Sequence, residues 1–200
     1  MEVRRLNEEN KSCHGHGQKK RRSSFQMQDP EIVFDALALK EGESFLDLGC
    51  GPGDYSIRAA KQVDVSGTVY ALDASESMIE ALKKEAAYLG IKNIRPMVAD
   101  ITEPLPLADN QADVCLIATV LHIPPVTRNM GKVITEVRRI LRPSGRFAVI
   151  ECSKKDLSFG PPEYMRLSAE EIEEAVMPQG FEKIKLTDLG FNYYIEFAVK

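Results

Sequence analysis

Three glycines, Gly49, Gly51 and Gly53, close an apolar run from Ser44 to Leu48, and an amphipathic stretch, Tyr55 to Val63, follows at once. A strand, a tight glycine loop and a helix form the start of a βαβ nucleotide-binding unit. Glycine suits the loop because the chain must take positive φ there and let a ligand lie directly on the main chain. Two acids stand at matching places further along. Asp73 follows the run Thr68 to Leu72 and lies 26 residues beyond Asp47; Asp100 follows Ile94 to Ala99 and lies 27 beyond Asp73. A carboxylate at the end of a second strand can accept two hydrogen bonds from vicinal ribose hydroxyls, and Asp100 suits an exocyclic adenine amine. Each also has a local reading. Asp73 could cap the next helix, although Ser75 and Ser77 can already do so, Ser77 with Glu80 as a capping box. Asp100 could be a turn aspartate before Ile101-Thr102-Glu103-Pro104.

The glycine spacing bears on which nucleotide the loop holds. A dinucleotide fingerprint, G-x-G-x-x-G, rests a pyrophosphate on the helix N-terminus. Here the third glycine comes one residue early, and Asp54 takes the place reserved for it. A carboxylate there repels a pyrophosphate and favours a cation.

Other residue types that do chemistry are His122, Glu151 and Cys152. His122 follows a strand-like run, Asp113 to Ala118, and precedes Ile123-Pro124-Pro125; Glu151 and Cys152 follow the run Gly145 to Ile150. His122 could serve as a base, touch substrate, or bond backbone in its loop. Glu151 and Cys152 are either contacts at the same sheet edge or structural. Cys13-His14-Gly15-His16 could ligate a soft or borderline metal, but the local sequence offers neither a fourth ligand nor a rigid loop, so no metal site is expected. Lys19-Lys20-Arg21-Arg22 after it reads as a solvated basic run, an anion contact or part of a lid.

The positioning elements alternate. Residues 1–28 are polar and Ser-rich and read as a flexible arm or lid, and residues 29–200 as one domain. Asp29 and Pro30 open a helix that Gly42 ends. Helices are expected from Glu76 to Leu89, burying Met78, Leu82, Ala86 and Leu89, and from Val126 to Leu141 as one continuous stripe. Ser168-Ala169-Glu170-Glu171 is a capping box for the last helix, which stops at Pro178 and Gly180. Phe181 to Asp188 and Asn192 to Val199 read as a hairpin. Five βα units and a hairpin make an α/β fold with three acid-bearing or glycine-bearing strand ends on one edge.

At 200 residues and 44% hydrophobic content, the chain suffices for one core. A net charge of −4 argues against a general nucleic-acid binder. Apolar runs of strand length leave no expected membrane span, and the polar N-terminus lacks the apolar stretch of a signal peptide. The four cysteines sit in unrelated contexts, as reduced thiols of a cytoplasmic protein do.

The ordered set Asp47-Leu48-Gly49-Cys50-Gly51-Pro52-Gly53, Tyr70-Ala71-Leu72-Asp73, Val98-Ala99-Asp100-Ile101 and Arg139 to Phe147 resembles the class I S-adenosylmethionine (SAM) dependent methyltransferases. In the last segment Ser144 replaces the first glycine of the family's turn. The resemblance covers about residues 30 to 200 and is nearest to small members akin to the ubiquinone/menaquinone-biosynthesis enzymes. It implies a Rossmann-like sheet of seven strands, mostly parallel, with helices on both faces and a C-terminal antiparallel hairpin. It also implies SAM as cofactor and a small-molecule methyl acceptor, a macromolecule presenting a small group being the other acceptor an open cleft admits. By the same resemblance Gly49, Cys50, Gly51 and Gly53 contact the methionine part, Asp47 orients the loop and the amino group, and Asp73 holds the ribose. Ala74 and Met78 pack near the adenosine, Asp100 and Ile101 frame the adenine, and Ala118 to His122 close the site. No catalytic residue is fixed; His122 and Glu151 are the candidates. The competing classes are a non-catalytic SAM-binding protein and an NAD-dependent oxidoreductase. Acceptor chemistries left open are a quinone-type ring carbon, a thiol, or a metalloid held by Cys13 and Cys152. Tyr55, Tyr164, Arg166, Tyr193 and Tyr194 are candidate wall residues.

Overall fold

The computed structural model describes residues 24–200. The Cys13-His14-Gly15-His16 cluster, the basic run after it and most of the expected arm lie outside the described residues. Seven strands follow in chain order: β1 (Ser44–Leu48), β2 (Thr68–Asp73), β3 (Ile94–Val98), β4 (Ala112–Ala118), β5 (Leu141–Cys152), β6 (Phe181–Asp188) and β7 (Asn192–Val199). They form one sheet in the order β3-β2-β1-β4-β5-β7-β6. The first five are parallel, and β7 lies antiparallel between β5 and β6. The chain walks outward from β1 to β3 and then returns to β4 on the other side of β1. That reversal places a crevice at the carboxyl ends of β1 and β4, where open α/β sheets take their ligands.

Period-two alternation explains why both faces are covered. Leu46, Leu48, Cys115, Ile117, Phe147 and Val149 point to one side and pack with α5 (Met130–Ile140) and α6 (Ala169–Val176). Phe45, Val69, Ala71, Val114, Leu116 and Ala148 point to the other and pack with α1 (Pro30–Leu37), α2 (Asp54–Gln62) and α3 (Glu76–Tyr88). Pro96 is tolerated in β3 because that strand lies at the sheet edge.

Several expectations need correction. Helix α1 ends at Leu37, with Ala38 left-handed (φ 44), and not at Gly42; the Glu43 carboxylate accepts from Lys40 N at 2.8 Å and turns the chain first. The stripe from Val126 to Leu141 is two helices, α4 (Pro124–Arg128) and α5, separated at Asn129, whose side-chain amide donates to Pro125 O at 2.9 Å. No helix follows β3. A turning segment fills that place and buries Ile101, Leu105 and Leu107. In α3 the buried residues are Ile79, Leu82 and Ala86, whereas Met78 is half-buried and Leu89 exposed. Ser77 and Glu80 form no capping box: α3 starts after Ser75, and Glu80 pairs with Lys83.

The expected box at the last helix is present. Ser168 Oγ accepts from Glu171 N at 3.3 Å, and the Glu171 carboxylate accepts from Ser168 N at 2.6 Å. Ser168→Ala should therefore lower stability by about 1 kcal/mol, read as a lower urea midpoint with unchanged slope. An unshifted midpoint would mean that the cap carries no stability here.

Candidate functional site

The glycine loop divides its work among three residues. All three take positive φ: 75° at Gly49, 53° at Gly51 and 91° at Gly53. A Cβ on Gly49 would come within 2.6 Å of Val120, and one on Gly53 within 2.2 Å of Leu82. Those glycines let the loop pack under the segment after β4 and against α3. Around Gly51 an added Cβ would meet nothing within 4 Å, so its face of the loop is open to a ligand. Main-chain bonds from Gly49 N (2.7 Å) and Cys50 N (2.9 Å) to Leu72 O tie the loop to β2.

Asp73 holds the loop from the neighbouring strand. Its Oδ2 accepts from Gly51 N at 2.9 Å and its Oδ1 from Ser75 N at 2.8 Å. Asp73 is not the cap of α3, a position Ser75 holds; it makes a local turn through Ser75 N and reaches the loop through Gly51 N. A carboxylate has about four acceptor positions, so two such bonds leave capacity for a ligand.

Asp47 is buried beneath the loop, on the α2 face of β1. Its Oδ2 accepts a 2.6 Å bond from Ser56 Oγ, on a buried first turn of α2. Burial pushes its carboxyl up to about 7; the Ser56 bond opposes this, and the Asp73 charge adds to it. Burial likewise pushes the Cys50 and Cys115 thiols up, so neither supplies a thiolate. Ser56 has no motif signal; only α2's position over Asp47 reveals it.

The remaining predicted contacts are less uniform. Asp100 is exposed and closes a turn, its Oδ1 accepting from Thr102 N (2.9 Å) and Thr102 Oγ1 (2.8 Å), which lowers its carboxyl. Ile101 turns into the core. Ala74 is exposed beside Asp73, Met78 is half-buried, and Ala118 ends β4 in the buried sheet.

His122 and Glu151 meet. The His122 Nδ1 lies 2.8 Å from Glu151 Oε2, and His122 N donates to Glu151 Oε1 at 3.3 Å. Glu151 has 0% accessible surface, and His122 keeps 13% of its side chain exposed. The geometry comes from Thr119, which takes a left-handed φ of 57° just after β4 and turns Val120 onto Gly49.

The expected wall residues are mostly structural. Tyr193 OH donates to Leu167 O (2.8 Å), Tyr194 is fully buried, and Tyr164 is exposed. Arg166 is buried and donates to backbone carbonyls of Pro161, Ser153, Asp156 and Phe159, clamping the segment after β5. Tyr55 accepts from Gln28 Nε2, and Gln28 Oε1 accepts from Asn192 Nδ2 at 2.6 Å, so residues just before α1 bridge α2 and β7. Among the described residues no cluster of His, Cys, Asp or Glu could hold a metal ion, and no helix is long and apolar enough to cross a membrane.

An open α/β sheet with a glycine loop and strand-end acids at its switch point defines a nucleotide-type cofactor site. Residues 39–191 match the family of methyltransferase domains, and the chain belongs to that family. It is 35% identical over 133 residues to an uncharacterized 37.1 kDa protein of a transposon from Streptomyces fradiae, covering 66% of this chain and 36% of that protein. It is 33% identical over 123 residues to the ubiquinone/menaquinone biosynthesis C-methyltransferase of Haemophilus ducreyi, covering 62% and 46%. The chain thus spans about half or less of the length of these curated relatives. Across 88% of this chain and 92% of the other, the fold superposes with a TM-score of 0.80 on a SAM dependent methyltransferase from Aquifex aeolicus, at 27% identity. The cofactor of this family fold is SAM.

The raised Asp47 carboxyl has a consequence for stability. The folded chain holds a proton that the unfolded chain loses above its ordinary value of 3.8, so that stabilisation is complete below about pH 4 and is lost as pH rises through about 7. Asp47→Asn should gain about 2–3 kcal/mol on the wild type between pH 5 and pH 8, measured by urea unfolding at both. A variant-to-wild-type difference independent of pH would contradict the assignment.

Proposed function

We propose that the chain is a SAM-dependent methyltransferase acting on a small-molecule acceptor. The observation that carries this reading is Asp73, whose carboxylate accepts from the N–H of Gly51, the one glycine of the loop with open space above it. Gly51 and its neighbours Gly49 and Gly53 would receive the methionine part, Asp47 beneath them the amino group, and Asp73 the ribose. Cys50 would contribute backbone only, since its thiol is buried. Ala74 and Met78 flank the adenosine, with Asp100, the Ile101 backbone and Ala118 around the remainder.

Bound SAM supplies an activated methyl on a sulfonium that leaves as a neutral thioether, so the departing group needs no acid. The chain's part is to orient the acceptor and exclude water, which contributes up to about 7–11 kcal/mol of the barrier. The acids around the loop support a cationic ligand over a dinucleotide: Asp54 stands in the first turn of α2, where a pyrophosphate would have to sit. Between β5 and α6 the chain has room only for the segment that Arg166 clamps, with no substrate domain. That leaves an edge suited to a small acceptor, and the relative named for ubiquinone and menaquinone biosynthesis points to a quinone-type ring.

Calorimetric titration with SAM, S-adenosylhomocysteine and NAD tests the cofactor, and release of S-adenosylhomocysteine with added acceptors tests turnover. Binding of the first two alone is expected. Asp73→Ala should weaken SAM by about 1.5–3 kcal/mol for each charged hydrogen bond lost, which is roughly 10- to 150-fold. Binding of NAD alone, or an unchanged SAM affinity in Asp73→Ala, would overturn the reading.

A further inference from the structure

Glu151 is a carboxylate taken wholly out of water at the end of β5, and its one side-chain ion-pair partner among the described residues is His122. Its two oxygens are turned to the His122 ring (2.8 Å), the His122 N–H (3.3 Å) and the Cys152 N–H (3.4 Å). Among the described residues no arginine or lysine pairs with it, and the buried Arg166 spends its donors on backbone carbonyls. A carboxylate bonded to Nδ1 fixes the tautomer: Nδ1 carries the hydrogen, and Nε2 keeps its lone pair. No hydrogen bond of the described residues engages Nε2. The ring is placed by a left-handed Thr119, which is an uncommon conformation for a β-branched residue and sets Val120 against Gly49 of the cofactor loop. His122 therefore stands two residues beyond a side chain that touches the loop.

Resting on the methyl-transfer reading above, we propose that His122 is a catalytic base, that Glu151 is its positioning residue, and that the acceptor carries a weakly acidic proton. That acceptor class comprises phenolic or hydroquinone O–H groups, conjugated to the atom methylated, and thiols. The step balances. The acceptor atom forms its bond to the methyl carbon with its own electron pair, the carbon–sulfur bond breaks with its pair left on sulfur, and the acceptor's proton ends on His122 Nε2. For a ring carbon, the proton taken first is that of the conjugated hydroxyl, and the ring proton then leaves from the methylated carbon to solvent. One positive charge thereby moves from the sulfonium to an imidazolium, beside a carboxylate already in place to receive it. Acceptors with no proton to lose, such as iodide, have no use for such a pair.

The test compares 1,4-naphthohydroquinone and thiophenol with iodide as methyl acceptors, reading S-adenosylhomocysteine release, in the wild type, His122→Ala and Glu151→Gln. The ratio of protic to iodide rates should fall about 10²–10⁴-fold in His122→Ala and by a smaller factor in Glu151→Gln, with the SAM dissociation constant within threefold of wild type in both. Long-range ¹H–¹⁵N spectra of the wild-type imidazole, which require no acceptor, should show a protonated Nδ1 and a bare Nε2 at pH 7.5, and Glu151→Gln should shift that tautomer balance. A ratio unchanged in His122→Ala, an imidazole protonated on both nitrogens, or turnover of neither protic acceptor by a wild type that binds SAM overturns the proposal while the cofactor reading stands. Failure to bind SAM at all sinks the methyl-transfer reading beneath it.

Discussion

Five residues, 49 to 53, carry the chain from the end of β1 to the start of α2, and the site depends on the tightness of that reversal. The loop must pass beneath Val120 and against Leu82 with no room for a Cβ at either place. Positive φ at alternate residues follows, and with it the exposure of backbone at Gly51. Both neighbouring strand ends reach this turn. Asp73 bonds it from β2, Leu72 O receives its first two amides, and Val120 brings the segment after β4 down onto it.

The electrostatics of the crevice follow from the same packing. Asp47 is buried by α2, and its neighbours Asp73 and Asp54 both raise its carboxyl further. Three acids gathered about one loop form a poor place for a pyrophosphate and a good one for a cationic, amino-bearing ligand. A buried acid at the end of β5, Glu151, is separated from Asp47 by β4 and is answered by a histidine. In the proposed reading, Asp47 would lie under the donor's end of the crevice and the Glu151–His122 pair on the acceptor's side.

Much of this was legible in the residues. The bounds of β1, β6 and β7 and the caps at Asp29 and Ser168 follow from local pattern, because alternation and capping act over a few residues. The glycine loop was equally plain. What local pattern could not show was which glycine is open, since that depends on Val120 and Leu82 arriving from elsewhere in the chain. The pairing of His122 with Glu151 joins the ends of β4 and β5 across 29 residues, and sequence offered each only as a separate candidate. The break at Asn129 was hidden because the apolar stripe of α5 continues in phase across it. The Ser77–Glu80 box was a sound local option that Asp73 displaced by accepting from Ser75 N. Arg166 resembled a cleft residue by position, but its burial among carbonyls depends on a fold of the 153–162 segment that carries no periodicity.

The central claim is that the cofactor lies over Gly51 with its ribose at Asp73. Titration of S-adenosylhomocysteine into ¹⁵N-labelled protein, followed residue by residue in ¹H–¹⁵N correlation spectra, tests it most directly. The account predicts the largest shifts at Gly49, Gly51, Gly53, Asp73 and Ala74, with smaller ones at Asp100 and Ile101 and none along β6. Shifts centred away from the glycine loop, or none at saturating ligand, would contradict it.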